Sequence, residues 1–158
     1  MPRLTFLIDA DDTLWENNIF FEETIEEFIA LVEPLGYSRD YARRILNETE
    51  RRNIRQHGYG VKCFGRSLDE TYRKLAGQMV QEHAVAHVAG LCVRLEQTPP
   101  RLMEGVPETL DYLNARHRLI LFTKGHAAEQ AAKVEKSGLQ KFFTAIEIVP
   151  EKDAPTYA

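Results

Sequence analysis

Leu4-Thr-Phe-Leu-Ile8-Asp9-Ala10-Asp11-Asp12-Thr13 passes in one step from an unbroken apolar run to a cluster of acids. The run is short, rich in β-branched and aromatic residues, and does not alternate with polar ones. Those features predict a strand buried on both faces, as in a parallel sheet. Ligand crevices of open α/β sheets lie at the carboxyl ends of their strands. Asp9, Asp11 and Asp12 therefore stand where such a fold collects its functional groups.

Two more runs of this kind lie far along the chain. Arg118-Leu-Ile-Leu-Phe-Thr123 ends in a hydroxyl, and Thr144-Ala-Ile-Glu-Ile-Val149 is followed by Pro150-Glu-Lys152. Short helices separate the runs. One begins near Pro107, a residue suited to a first helical turn, and one spans about His126 to Ser137, with Gly138 at its end. Strand, helix, strand, helix, strand with short links predicts a right-handed α/β sheet.

Between the first and second runs the period changes. Phe21, Ile25, Phe28, Ile29 and Val32 repeat at helical spacing, with Glu22, Glu23, Glu26 and Glu27 between them, until Pro34 and Gly36. Ser38 predicts the cap of a second helix running to about Gln56. Gly58-Tyr-Gly60 through Gly65 reads as a turn-rich link, and Ser67-Leu-Asp-Glu70 as a capping box opening a third helix. Val85, Val88, Ala89, Cys92 and Leu95 give a fourth, ended before Pro99-Pro100. Residues 16–100 are thus expected to be an all-helical cap without strands, inserted into an α/β core made of 1–15 and 101–158.

Composition excludes several classes. The 158 residues are 44% hydrophobic and 28% charged, outside the range of disordered or collagen-like chains. Apolar stretches such as Phe28-Ile-Ala-Leu-Val32 fall far short of a bilayer span. An acid at the ninth residue comes too soon for a signal peptide. A net charge of −4 gives no footprint for nucleic acid. Cys63 and Cys92 have neither metal-ligand nor disulfide-framework spacing and read as reduced thiols in a cytoplasm.

Two carboxylates, a hydroxyl and an ammonium brought to one sheet edge suit phosphoryl transfer through a covalent aspartyl intermediate. Asp9 would attack phosphorus. Asp11 would protonate the leaving oxygen and then activate water. Thr123 would donate to a phosphoryl oxygen, and Lys152 would balance its negative charge. An anionic nucleophile meeting a phosphate dianion calls for a hard divalent cation, and Mg2+ fits.

Phe6-Leu-Ile-Asp-Ala-Asp-Asp-Thr-Leu14 resembles the first motif of the haloacid dehalogenase-like (HAD) hydrolase superfamily. Leu119-Ile-Leu-Phe-Thr-Lys-Gly125 resembles its second motif, and Val149-Pro-Glu-Lys152 its third. The helical block resembles the cap inserted after the first strand in one subfamily. The resemblance covers essentially the whole chain. It implies a Rossmann-like core, Mg2+ held by Asp9 and the backbone carbonyl of Asp11, and most often phosphatase activity on a small phosphorylated metabolite. The dehalogenase branch keeps no acid at the position of Asp11, so Asp11 favours phosphate-ester cleavage. Many relatives carry Gly where Asp12 stands, and Asp12 is assigned no catalytic role.

Thr13, Lys124 and Gly125 join the expected phosphate-binding set. Lys62, Arg66 and Tyr59 are candidate substrate readers in the link between cap helices, against an ordinary surface loop. His83 and His87, at i and i+4, have no third ligand and read as exposed. His126 reads equally as a neighbour of the phosphate or as a plain first-turn residue. Trp15 and Phe20 read as packing residues. The solvated alternatives are an Asx turn for the Asp9–Asp12 cluster and a surface lysine for Lys152, with Lys124 as its rival.

The resemblance also implies a fourth motif of further acids after another strand. Only six residues follow Lys152, and Asp153 is the sole acid among them. The α/β core is therefore expected to be incomplete, lacking its last strands. That leaves two other functions open: a non-catalytic phosphate- or partner-binding fragment, and a phosphonate hydrolase or phosphomutase, the former needing Lys62 to form an imine.

Overall fold

In the computed structural model, which describes residues 2–157, the opening apolar run forms β1 (Thr5–Ile8) and stops immediately before Asp9. Next come β2 (Trp15–Glu16), α1 (Asn18–Val32), α2 (Arg39–His57), α3 (Val61–Ala76) and α4 (Glu82–Gln97). Then follow β3 (Arg101–Leu102), α5 (Val106–Asn114), β4 (Arg118–Lys124), α6 (Ala127–Ser137) and β5 (Ala145–Val149). Two compact units result. One contains the residues up to Asn18 and those from Pro99 onward; the other is Ile19–Thr98.

The first unit is a Rossmann-like α/β core. Its sheet is parallel, in the order β1-β4-β5, with Phe6 opposite Leu119, Ile8 opposite Leu121 and Leu121 opposite Ile146. Because the order advances in one direction, right-handed crossovers bring α5 and α6 to the same face. Leu110 of α5 and Val134 of α6 close over Leu119 and Leu121, with Phe6, Ile8 and Ile146 packed at the margin. The other face is more open. Leu7, aligned with Ile120, is 49% exposed. This corrects the expectation for β1: among the described residues it is an edge strand whose burial alternates, because helices cover one of its faces.

A second correction concerns the boundary of the helical block. Trp15–Glu16 is a two-residue strand, paired antiparallel with Arg101–Leu102 where the chain leaves and re-enters the α/β unit. Glu16 and Arg101 form an ion pair across it. Strands this short carry no period, so pattern reading passes over them.

The second unit holds α1 to α4 around Phe28, Val32, Leu46, Leu68, Val88 and Leu91. Ser38 caps α2, accepting from the Tyr41 amide at 3.3 Å. The third helix differs from expectation: α3 begins at Val61, so the stretch around Gly65 is helical and Ser67 lies in its interior. Ser67 is fully buried; its Oγ donates to the Cys63 carbonyl at 2.9 Å and accepts from Asn53 Nδ2 at 3.1 Å. It is a buried polar link between α2 and α3, not a cap. Cys63 and Cys92 are not joined in a disulfide, and burial pushes the Cys92 thiol up. Among the described residues no helix is long and apolar enough to cross a membrane.

Candidate active site

The carboxyl ends of β1, β4 and β5 meet at one edge of the α/β unit, and the motif residues stand there. Asp9 follows β1 directly and its side chain is 46% exposed. Lys152, just beyond β5, places Nζ 2.5 Å from Asp9 Oδ1 and 5.6 Å from the centre of the Phe122 ring. Thr123, near the end of β4, is buried and lies in register with Ile148. Nucleophile candidate, hydroxyl and ammonium thus converge from three strands.

The loop after β1 is tightly wound. Thr13 and Leu14 both donate backbone N–H groups to the Ala10 carbonyl, at 3.1 and 2.8 Å. Thr13 itself is exposed. Asp12 has φ 57°, the left-handed region that glycine enters most easily. Its Oδ1 accepts from the Asn17 and Asn18 amides at 2.9 and 3.0 Å, at the start of α1.

Asp11 is the most heavily engaged residue of the site. Oδ1 accepts from Trp15 Nε1 at 2.8 Å and from Lys133 Nζ at 2.9 Å; Oδ2 accepts from Gln130 Nε2 at 2.7 Å. Lys133 also donates to Asn17 Oδ1 at 2.7 Å, and Gln130 to the Lys124 carbonyl at 2.9 Å. Trp15 is indeed buried, yet it is also a hydrogen-bond donor to the site. Gln130 and Lys133 escaped the sequence reading. Their one signal is two long polar residues at i and i+3 in an alanine-rich helix, spacing that places them on one face.

The remaining candidates have definite places. Lys124 extends to Glu151 Oε1 at 3.2 Å. Gly125 has φ 146° and donates its N–H to the Val149 carbonyl at 3.0 Å. His126 occupies the N-cap position of α6 without a side-chain cap bond. Lys62 and Arg66, expected on a flexible link, lie on α3 in the helical unit, where Arg66 meets His57 Nε2 at 2.8 Å. A helix is their setting because the turn is confined to Gly58 and Gly60, on either side of Tyr59, and Gly65 lies inside the helix. His83 and His87 are exposed on α4.

The donors at this edge can be tested against a hard cation. Asp9 offers a carboxylate and Asp11 a backbone carbonyl, oxygen donors of the kind Mg2+ takes. The Asp11 carboxylate is occupied by three donors and is not among them. Among the described residues no group of three or more His, Cys, Asp or Glu side chains is placed to hold a metal. Mg2+ commonly keeps several waters and uses one or two protein carboxylates with substrate phosphate, so this donor chemistry fits as part of a shell.

A family model for haloacid dehalogenase-like hydrolases matches residues 4–156, and the chain belongs to that family. It is 31% identical to a haloacid dehalogenase-like family hydrolase from Xanthomonas campestris, with a TM-score of 0.89, covering 98% of this chain and 65% of that one. The fold is shared at 19% identity with the putative HAD-hydrolase YfnB of Bacillus subtilis, whose structure is bound to magnesium (TM-score 0.56, 94% and 66% covered). It is shared at 19% identity also with a 2-haloacid dehalogenase from Pseudomonas syringae (TM-score 0.57, 94% and 64% covered). The chain spans just under two thirds of the length of each of these proteins. A search of curated proteins finds no match.

Proposed function

We propose that the chain carries the active site of a phosphomonoester hydrolase acting on a small phosphorylated metabolite through an aspartyl-phosphate intermediate. The observation that carries this reading is the pair Asp9 and Asp11 at the end of β1, the first exposed beside the Lys152 ammonium and the second hydrogen-bonded by a different set of donors. Two carboxylates in unlike surroundings suit two roles.

An Asp9 oxygen attacks phosphorus as the bond to the leaving oxygen breaks, and Asp11 delivers a proton to that oxygen. Asp11 then takes a proton from water, which attacks phosphorus; the Asp9–phosphorus bond breaks and inorganic phosphate leaves. Thr123 and Lys152 stabilise the phosphoryl oxygens. Mg2+, held by Asp9 and the Asp11 carbonyl, would supply charge neutralisation between nucleophile and phosphate. Two cysteines outside any disulfide suit a reducing, cytoplasmic setting.

The test is a panel of phosphomonoesters assayed with and without Mg2+. Wild-type turnover is expected to require Mg2+, and Asp9→Asn to lower it at least about 1000-fold, as losing a covalent nucleophile does. Equal turnover by wild type and Asp9→Asn would sink the reading.

A further inference from the structure

We propose that Gln130 and Lys133 are positioning residues that clamp both carboxylate oxygens of Asp11 from α6 and so aim it for proton transfer. The inference rests on reading Asp11 as the proton-transfer group. Gln130 holds Oδ2 at 2.7 Å while Lys133 and Trp15 hold Oδ1 at 2.9 and 2.8 Å. Donors on both oxygens fix the rotation of the carboxylate, which a single bond to one oxygen leaves free. A proton-transfer group must be held to within about 0.5 Å of its productive position.

The orientation of the Gln130 amide follows from its neighbours. Asp11 Oδ2 and the Lys124 carbonyl are both acceptors, so the amide nitrogen must face them. That leaves Gln130 Oε1 buried without a hydrogen-bond partner, a cost that an aliphatic side chain of similar size would avoid. What such a side chain lacks is the nitrogen tying Asp11 to the end of β4.

Gly125 is shaped to this clamp. A Cβ there would stand 2.9 Å from Gln130 Nε2 and 3.1 Å from its Cγ, and φ 146° disfavours any side chain. Lys133 adds the second tie, bridging Asp11 Oδ1 and Asn17 Oδ1 with one ammonium. Helix α6 thereby holds the loop after β1 at the residues on either side of Trp15.

Trp15 is the only tryptophan of the chain, and its indole N–H donates to the clamped carboxylate. Its single indole resonance in an 15N-labelled sample of the full chain therefore reports where Asp11 lies. Asp11→Ala supplies the unclamped reference position. Lys133→Met and Gln130→Leu are expected to move the resonance toward that reference and to speed its hydrogen exchange about tenfold, as for loss of a bond to a charged group. Lys133→Arg is expected to keep the wild-type position. Lys133 is partly solvent-exposed, so Lys133→Met serves if Gln130→Leu does not fold.

Turnover of two esters with Mg2+ gives the second readout. Phenyl phosphate, whose leaving group needs the proton, should lose at least about tenfold more than para-nitrophenyl phosphate, whose leaving group does not. An indole resonance unmoved in Lys133→Met overturns the proposal, and so do equal losses on the two esters. A wild-type chain that hydrolyses neither ester sinks the phosphatase reading instead, and the indole resonance then decides the clamp alone.

Discussion

At φ 57°, Asp12 stands alone among the described non-glycine residues in the left-handed region. Asp tolerates that conformation better than most residues because its short polar side chain can bond locally. Here it bonds the Asn17 and Asn18 amides and so caps α1. Asp12→Gly relieves strain and loses the cap, whereas Asp12→Ala loses the cap and keeps the strain. Urea unfolding is expected to show Asp12→Ala destabilised by about 1–3 kcal/mol, with Asp12→Gly closer to wild type. An alanine variant as stable as the glycine variant contradicts this account. The role of Asp12 was not legible in the sequence, since a cap formed from five residues upstream matches no local capping pattern. The placement of Asp9, Asp11, Thr123 and Lys152 at one sheet edge was legible because each stands near or just past the end of a strand. Gln130 and Lys133 were not, because which face of α6 meets the loop depends on how the helix packs.

Among the elements, α3 departs most from its sequence signature. Gly58, Gly60 and Gly65 together read as a turn-rich link, yet only the first two lie outside the helix. Gly65 serves a different purpose: a Cβ there would stand 2.7 Å from Cys92 Sγ and 3.3 Å from its Cβ. The glycine lets α3 and α4 approach closely, at a helix-propensity cost of about 1 kcal/mol. Gly65→Ala is therefore expected to lower stability by about 1–2 kcal/mol despite the better helix former, through overpacking. Adding Cys92→Ala should recover most of the loss. Unfolding followed by far-UV circular dichroism checks both. Additive losses in the double variant would show that the contact is not the cause. Ser67 was misread for a related reason: a serine three residues before a glutamate looks like a capping box wherever it falls, and burial alone separates the two cases.

Across the whole molecule, the order β1-β4-β5 sends both crossover helices to one face and makes the strand faces unequal. Leu121 lies under α5 and α6 with no exposure, while Leu7, on the opposite face of the neighbouring strand, is 49% exposed. Leu121→Ala is expected to cost about 2–5 kcal/mol, as buried leucines do. Leu7→Ala is expected to cost less than about 1 kcal/mol. Trp15 belongs to the same core cluster, so its fluorescence during urea unfolding reports both changes. Equal losses would mean that the two faces are equally packed. The unequal faces also explain why β1 reads as doubly buried: its residues have the composition of a parallel strand, but composition does not count the helices that cover it.

Periodicity and motif position alone determined the α/β class, the helical insertion, and the acids and hydroxyl at the strand ends. These depend on local chemistry, which neighbouring residues reveal. Tertiary structure decided which side chains hold Asp11, why Gly125 and Gly65 must be glycine, and which sheet face stays open. Each of those depends on the approach of elements distant in sequence, and a one-dimensional pattern records no such distance.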